Sequence, residues 1–229
     1  MIRDAVAARL EAAADERTRD WWERYLRGAI PFRGVKMADI RAIVHDVWPP
    51  DAPVDLALAQ FEQPFSEDKI AGVLALAEIN MPRLSAADVP RLAEPFERGL
   101  IADWSTCDWY CVKVLGKLIE RDPAAAPPIA AWRDAEDLWQ RRAAAVAFVD
   151  LVPRGLHHDL VLEVLERNVL DPARFSQRSV GWVLRELGRA DPERAQAFLA
   201  RHGGRMSAEA RRQAQTKRSS ARSSSRASP

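Results

Sequence analysis

SQRSVGWVLRELGRA, residues 176–190, has the periodicity of a single amphipathic helix. Four apolar side chains recur at the i, i+3, i+4 and i+7 spacing of a stripe that faces a core: Val180, Val183, Leu184 and Leu187. At 100° per residue, Trp182 points about 160° away from that stripe, on the face that also carries Arg178 and Arg185. An aromatic ring between two guanidinium groups outside the core predicts a surface that binds a flat or anionic ligand. A structural Trp covered by a neighbouring helix is the alternative.

Composition limits the class of protein. A chain of 229 residues, 48% of them hydrophobic, is long enough to bury a sizeable core. No apolar run has the length of a membrane span, and the charged residues 1–20 lack an apolar signal core, so we expect a cytoplasmic protein. Cys107 and Cys111 are too few for a disulfide scaffold, and we expect them to be small buried hydrophobes. The histidines have no metal-ligand spacing, so we expect neither a metal nor another cofactor.

Charge is distributed unevenly along the chain. Residues 205–229 contain seven Lys or Arg and one acid, which gives +6 and leaves residues 1–204 at −5, because the whole chain carries +1. Any contact with phosphates therefore requires a local basic patch. We predict that residues 205–229 are a basic Ser/Arg-rich tail, a short helix followed by disorder. Such a tail would either add weak, salt-sensitive attraction to nucleic acid or serve only solubility.

Helical periodicity, with breaks at Gly and Pro, predicts an all-α protein. The predicted helices span residues 2–27, 37–48, 53–63, 66–80, 85–101, 104–121, 123–133, 137–151, 155–168, 176–190, 192–202 and 207–216. The three Trp-bearing helices that begin near 104, 137 and 176 are separated by 33 and 39 residues, close to the roughly 34–47 residues of helical repeats. We therefore predict that residues 1–204 form one domain, a curved α-solenoid of about six antiparallel helix pairs.

Two of these helices carry charged residues on apolar faces. Trp104 and Asp108 form an i, i+4 pair on the side of the helix that also bears apolar residues. No cation lies one turn from Asp108, and a carboxylate on such a face is costly unless it is paired or hydrogen-bonded. It is either a functional carboxylate or a cap for the first amides of the helix. Trp139 and Arg142 form an i, i+3 pair, and Arg142 shares a face with Val146 and Val149, an unusual place for an unpaired cation. The neighbouring Arg141 is expected to be solvated.

The residues resemble a known family. The chain is similar to the AlkD-type DNA alkylation repair glycosylases, which are built from HEAT-like helical repeats, over most of residues 15–202. Four stretches carry the resemblance: YLRGAIPFRGVKMADIRAI from Tyr25, the Trp-x-x-x-Asp of Trp104 and Asp108, the Trp-x-x-Arg of Trp139 and Arg142, and GWVLRE around Trp182. The ordered set is more specific than any one of its members.

The resemblance implies a monofunctional glycosylase that acts as a monomer on duplex DNA. Its substrates would be cationic purines, N3-methyladenine and N7-methylguanine, released by hydrolysis of the N-glycosidic bond without flipping of the base. It implies a catalytic cleft with these residues: Asp108, Trp104 and Trp182. It also implies that Arg142 holds the DNA backbone near the lesion. The further DNA-binding positions are Arg178, Arg185, Tyr25 and Trp139.

Two other functions remain open. One is a non-catalytic paralogue that binds distorted or branched DNA through the same cleft, and the other is a protein-interaction scaffold with Trp182 as a hot spot. The chain also departs from the family at one place, because Asp108 is followed by the bulky residues Trp109, Tyr110 and Cys111. We expect these side chains to reshape the cleft and to affect the range of substrates.

Overall fold

Helices make up the regular structure of residues 2–215, the part of the chain that the computed structural model describes. The α-helices are α1 Ile2–Ala12, α2 Glu16–Leu26, α3 Met37–Val47, α4 Val54–Leu58, α5 Ser66–Leu74, α6 Val89–Glu97, α7 Trp104–Tyr110, α8 Gly116–Arg121, α9 Ala126–Ala131, α10 Leu138–Val146, α11 His158–Asn168, α12 Arg174–Ala190, α13 Pro192–His202 and α14 Ala208–Gln215. No strand occurs within this range. The all-α, solenoid-like prediction is confirmed.

The helices pack in a repeating order. One row consists of α5, α7, α10, α12 and α14, each in contact with the next. The helices that alternate with them along the chain, such as α9, α11 and α13, pack against this row. One apolar core of side chains from both rows runs through the molecule. The row of α5 to α14 therefore brings side chains from successive repeats together on one surface.

Arginine side chains connect successive repeats. Ion pairs join residues 33 to 36 positions apart: Arg91 with Asp55, Arg154 with Glu120, Arg167 with Asp134, Arg194 with Asp159, and Arg174 with Glu209. This separation matches the spacing of the Trp-bearing helices in the sequence. The repeat period is therefore visible in the contacts as well as in the helix order.

Several predicted helices are interrupted. The predicted helix 2–27 is two helices, because Asp15 adopts an extended conformation and its carboxylate accepts from the Thr18 amide at 2.8 Å to cap α2. The predicted helices 66–80 and 104–121 each contain a π-helical segment, Ala75–Asn80 and Cys111–Leu115. Short 3₁₀ segments also replace parts of the predicted helices 53–63, 85–101 and 123–133. Helix starts and breaks depend on such local hydrogen bonds, which hydrophobic periodicity does not report.

The packed unit extends beyond the predicted domain boundary at residue 204. Helix α14 lies against α12, and Met206 and Ala210 are buried there. A Cβ atom added to Gly181 would lie 2.5 Å from the Ala210 carbonyl oxygen, so the two helices meet backbone to backbone. The short helix predicted in the tail thus belongs to the core, and the expected disorder falls on residues 216–229, outside the described residues.

Replacing Gly181 with Ala should lower the free energy of unfolding by about 1–3 kcal/mol, the usual effect of overfilling a packed contact. The Ala methyl group would force α14 away from α12, and this outweighs the roughly 1 kcal/mol by which Ala favours a helix over Gly. Chemical denaturation provides the measurement. Gly204→Ala is the matched control, because a Cβ there meets nothing within 4 Å. Equal effects of the two substitutions would contradict the close contact.

Candidate functional site

Asp108 and Arg142 form a buried ion pair between α7 and α10. Arg142 Nε donates to Asp108 Oδ1 at 2.8 Å, and Nη2 donates to Oδ2 at 2.9 Å. The third nitrogen, Nη1, donates to the Phe175 carbonyl oxygen of α12 at 2.7 Å. The Arg142 side chain is 5% exposed and that of Asp108 is 15% exposed. The pair therefore joins three successive helices of the row and leaves one side of the carboxylate open to solvent.

Asp108 has no cation one turn away on its own helix, but it is paired with Arg142 across 34 residues. The alternative role of Asp108 as a helix cap is wrong. Asp103 caps α7, and its carboxylate accepts from the amides of Ser105 and Thr106, both at 2.9 Å. Because the Arg142 side chain is buried and each of its nitrogens already donates inside the protein, the predicted contact of Arg142 with a DNA phosphate would require this pair to rearrange.

Burial and pairing act in opposite directions on the two charges. Burial raises the pKa of the Asp108 carboxyl, and the guanidinium of Arg142 opposes that rise. Burial by itself would lower the pKa of Arg142, but the adjacent Asp108 carboxylate more than compensates and raises it. Asp108 therefore gains its proton at a higher pH than an ordinary Asp does, while Arg142 stays charged.

Trp104 lies one helical turn before Asp108 and is partly buried. Its ring meets the edge of Tyr25 with centroids 5.7 Å apart. It packs against a small second core formed by three side chains: Leu26, Ile30 and Phe32. The structure thus brings α2 to the start of α7 and places the predicted residues Tyr25, Trp104 and Asp108 in sequence along one surface.

Trp182 is partly buried and borders a groove of about 380 Å³. Val112, one turn after Asp108, and Val149, two turns after Arg142, line the same groove. The indole therefore packs against the core, as the structural alternative requires, and is also accessible from the groove. Phe175, which binds Arg142 through its carbonyl, lies two turns before Trp182 on α12. These spacings place Trp182 beyond the ion pair along the same row of helices.

The predicted arginines on α12 are partly exposed, and each lies within 4 Å of a carboxylate. Arg178 lies 3.5 Å from Glu209. Arg185 donates to Glu186 at 2.8 Å, and Arg189 donates to the other oxygen of that carboxylate at 3.0 Å. Glu186 is itself buried, and sequence reasoning missed it because a single acid on a charged helix gives no signal. It holds two guanidinium groups beside Trp182.

Trp139 does not lie free on the surface. Its ring packs against Phe175 with centroids 5.0 Å apart. Arg141 is not solvated as expected, because its Nε donates to Asp171 at 2.8 Å and its Nη1 donates to the carbonyl oxygens of Ala135 and Glu136. Both side chains fix the start of α10 against the preceding and following segments. Sequence reasoning missed Phe175, because its contact with Arg142 is made by the backbone carbonyl and not by the ring.

The bulky residues after Asp108 do not reshape the groove. Tyr110 and Cys111 are fully buried, and the Tyr110 hydroxyl donates to the Leu92 carbonyl oxygen at 3.0 Å. Trp109 lines a different and narrower cavity next to Trp22. Cys107 and Cys111 are free and buried, as predicted.

Two classes of feature are missing from residues 2–215. No three side chains among His, Cys, Asp and Glu are grouped so that they could hold a metal ion in this range. Within the same range, no helix has both the length and the apolar character needed to cross a membrane.

Comparison with known proteins agrees with this geometry. Residues 6–217 match the model of a protein family described as DNA alkylation repair enzyme. The chain belongs to the DNA alkylation repair enzyme family. The match includes α14, which the packing also assigns to the core, and membership supports a role as an enzyme of DNA repair.

A solved structure described as a predicted DNA alkylation repair enzyme from Enterococcus faecalis has the same fold as this family member. The two share 20% sequence identity with a TM-score of 0.76, over 88% of this chain and 94% of that chain. No curated protein matches the chain.

Arg142→Ala should lower the free energy of unfolding of this family member by about 3–5 kcal/mol, because it leaves the buried Asp108 carboxylate without its counter-charge. Arg174→Ala is the matched control, since it removes a bidentate pair with Glu209 at a 61% exposed side chain. Its effect should stay below about 1 kcal/mol. Urea denaturation of both variants measures the difference, and a small loss for Arg142→Ala would show that the pair contributes little to the fold.

Proposed function

We propose that the protein is a monofunctional DNA glycosylase that hydrolyses the N-glycosidic bond of cationic alkylated purines in duplex DNA. The observation that carries this proposal is the Asp108 carboxylate, fixed by two hydrogen bonds and partly open to solvent one turn from Trp104. A fixed negative charge next to an aromatic face suits a positively charged sugar. Family membership supports alkylated DNA as the substrate.

The reaction needs little acid catalysis. A purine methylated at N3 or N7 carries a positive charge, and the electron pair of the breaking C1′–N bond neutralises that charge as the base leaves. Positive charge then develops on the deoxyribose until a water adds at C1′ and loses a proton. Preorganised charge of the opposite sign is the largest contribution that a protein can make to such a step.

In this proposal Asp108 is the catalytic carboxylate and Arg142 is its positioning residue. A carboxylate has about four lone-pair sites, and Arg142 occupies two of them. The remaining sites can face the sugar and orient the attacking water. The ring of Trp104, and that of Trp182, which borders the groove further along the row of helices, would stabilise the cationic sugar by a cation–π contact of about 0.5–2 kcal/mol each.

The arginines of α12 would hold the DNA backbone. Arg178 and Arg185 are partly exposed, and Glu186 keeps Arg185 and Arg189 side by side next to Trp182. Contacts of this kind position a duplex without reading its sequence. Recognition through sugar and backbone needs no pocket for the base, so we propose that the lesion is cleaved without being flipped into the protein.

A second candidate function is binding of damaged or distorted DNA without catalysis. The observation that favours it is the engagement of both Asp108 oxygens by Arg142. In that case the ion pair would be purely structural, and the groove would serve only to hold DNA. Release of free base distinguishes the two functions.

Asp108→Asn should reduce release of N7-methylguanine or N3-methyladenine from duplex DNA by about 100- to 1,000-fold, the usual effect of losing one preorganised charge contact. The amide is neutral and cannot stabilise the developing cation. Single-turnover assays that quantify the free base above the spontaneous rate provide the measurement. Asp171→Asn is the matched control, because it disrupts the neighbouring pair with Arg141 and should keep its activity. Equal activity of Asp108→Asn and wild type would refute the mechanism, and no release by wild type would favour the binding function.

The rate of base release should fall as the pH drops through the pKa of Asp108, because only the ionised carboxylate acts on the cationic sugar. Burial raises this pKa, so the loss should occur at a higher pH than for an ordinary Asp. Arg142→Gln removes the opposing guanidinium and should move the acid limb to still higher pH. Arg141→Gln is the control, since Arg141 pairs with Asp171 and should not move it. A pH–rate profile corrected for spontaneous depurination gives the answer.

A further inference from the structure

One face of α2 carries an exposed aromatic and basic surface that the proposed catalytic step does not use. Arg17, Trp21, Arg24 and Tyr25 follow one another at the i, i+4, i+7 and i+8 spacing that places side chains on one side of a helix. Trp21 is 51% exposed and Tyr25 is 54% exposed. Large aromatic side chains with this exposure are unusual on a helix that has a core to pack against.

The two exposed rings form a continuous row with the candidate active site. Trp21 and Tyr25 are stacked, with centroids 5.2 Å apart and planes inclined by 10°. Tyr25 also makes a T-shaped contact with Trp104, with centroids 5.7 Å apart. A flat ligand placed against the outer face of Trp21 would therefore extend the row of rings that leads through Tyr25 to Trp104.

Trp21 is not needed to hold α2 in place. The opposite side of the helix does so through Leu26, which is buried, and through Trp22, which stacks on Phe32 with centroids 5.7 Å apart. Trp21 meets this group in a T-shaped contact with Trp22, with ring centroids 4.7 Å apart. Removal of the Trp21 side chain should thus leave the fold intact.

Two arginines beside Trp21, Arg17 and Arg24, form no salt bridge within residues 2–215. The third arginine of the helix, Arg19, lies 3.3 Å from Glu16 and 3.8 Å from Asp20. Most other arginines of the described chain are paired, such as Arg33, Arg141 and Arg142. Arg17 acts electrostatically on Asp15 without forming a salt bridge. Two guanidinium groups without a salt bridge beside a stacked pair of rings suit the two features of a nucleotide, a flat base and a phosphate.

We propose that this face of α2 binds one unpaired nucleotide of the DNA held in the groove, with its base stacked on Trp21 and its neighbouring phosphates at Arg17 and Arg24. A paired base has both faces covered by its neighbours, so only a base released from the stack can occupy Trp21. This inference rests on the proposed function for its ligand, DNA. It adds a recognition site for disrupted pairing next to the cleavage site.

Binding measurements with two duplexes test the inference without relying on catalysis. One duplex is fully paired, and the other carries a single unpaired 2-aminopurine, whose fluorescence falls when the base stacks on an indole. Fluorescence anisotropy gives both affinities. Wild type should bind the unpaired duplex more tightly and quench its 2-aminopurine. Trp21→Ala should weaken that binding by about 5- to 150-fold, the range observed when a stacking ring is removed. It should abolish the quenching and leave affinity for the paired duplex unchanged.

Four further variants make the result specific. Trp21→Phe keeps a ring and should retain much of the preference. Leu56→Ala is the control for loss of an exposed apolar side chain, since Leu56 lies on α4 and is 37% exposed. Arg24→Gln should weaken binding to the unpaired duplex and flatten its salt dependence by about one phosphate contact. Arg201→Gln, on α13, should not.

Unchanged preference and quenching in Trp21→Ala would overturn the inference, and base release by wild type would then still support the glycosylase. Concentration-dependent dimers of wild type that Trp21→Ala abolishes would also overturn it, because the face would then be a contact between two copies of the chain. Absence of base release with the expected binding pattern would refute the proposed catalysis and keep the nucleotide site.

Discussion

The ion pair between Asp108 and Arg142 is the interaction on which the packing of α7, α10 and α12 and the candidate site depend. It lies at the meeting point of α7, α10 and α12, because Arg142 also donates to the Phe175 carbonyl oxygen. Two buried charges are tolerated only when their geometry is good and their remaining hydrogen bonds are satisfied. The pair therefore fixes the distance and register between three repeats, and it fixes the carboxylate that the proposed chemistry requires.

The aromatic residues around the pair follow from the same packing. Three helices of the row contribute aromatic rings near the pair: Trp104 from α7, Trp139 from α10, and Phe175 and Trp182 from α12. A π-helical segment follows directly after α7, at Cys111–Leu115. Such segments are frequent at functional sites, and here the segment begins one turn after the carboxylate. The surface is thus built from successive turns of different repeats and not from one loop.

Charge is distributed in accordance with this arrangement. Arginine pairs connect helices at intervals of one repeat, and they are exposed enough to add little stability individually. Arginines without a salt bridge lie on α2, towards one end of the aromatic surface. Partly paired arginines lie on α12, towards the other end. A protein whose first 204 residues are net acidic can therefore present local positive charge to an anionic ligand.

The sequence by itself determined the helical class, the repeat spacing and the identity of the side chains around Asp108, because periodicity and ordered motifs are local properties of the chain. It also determined that Cys107 and Cys111 are core residues. Only the tertiary structure decided that Asp108 and Arg142 are each other's partner, that Asp103 caps α7, and that α14 belongs to the core. The physical reason is the same in each case: these contacts join residues about one repeat apart, or depend on single hydrogen bonds, and neither leaves a signal in hydrophobic periodicity.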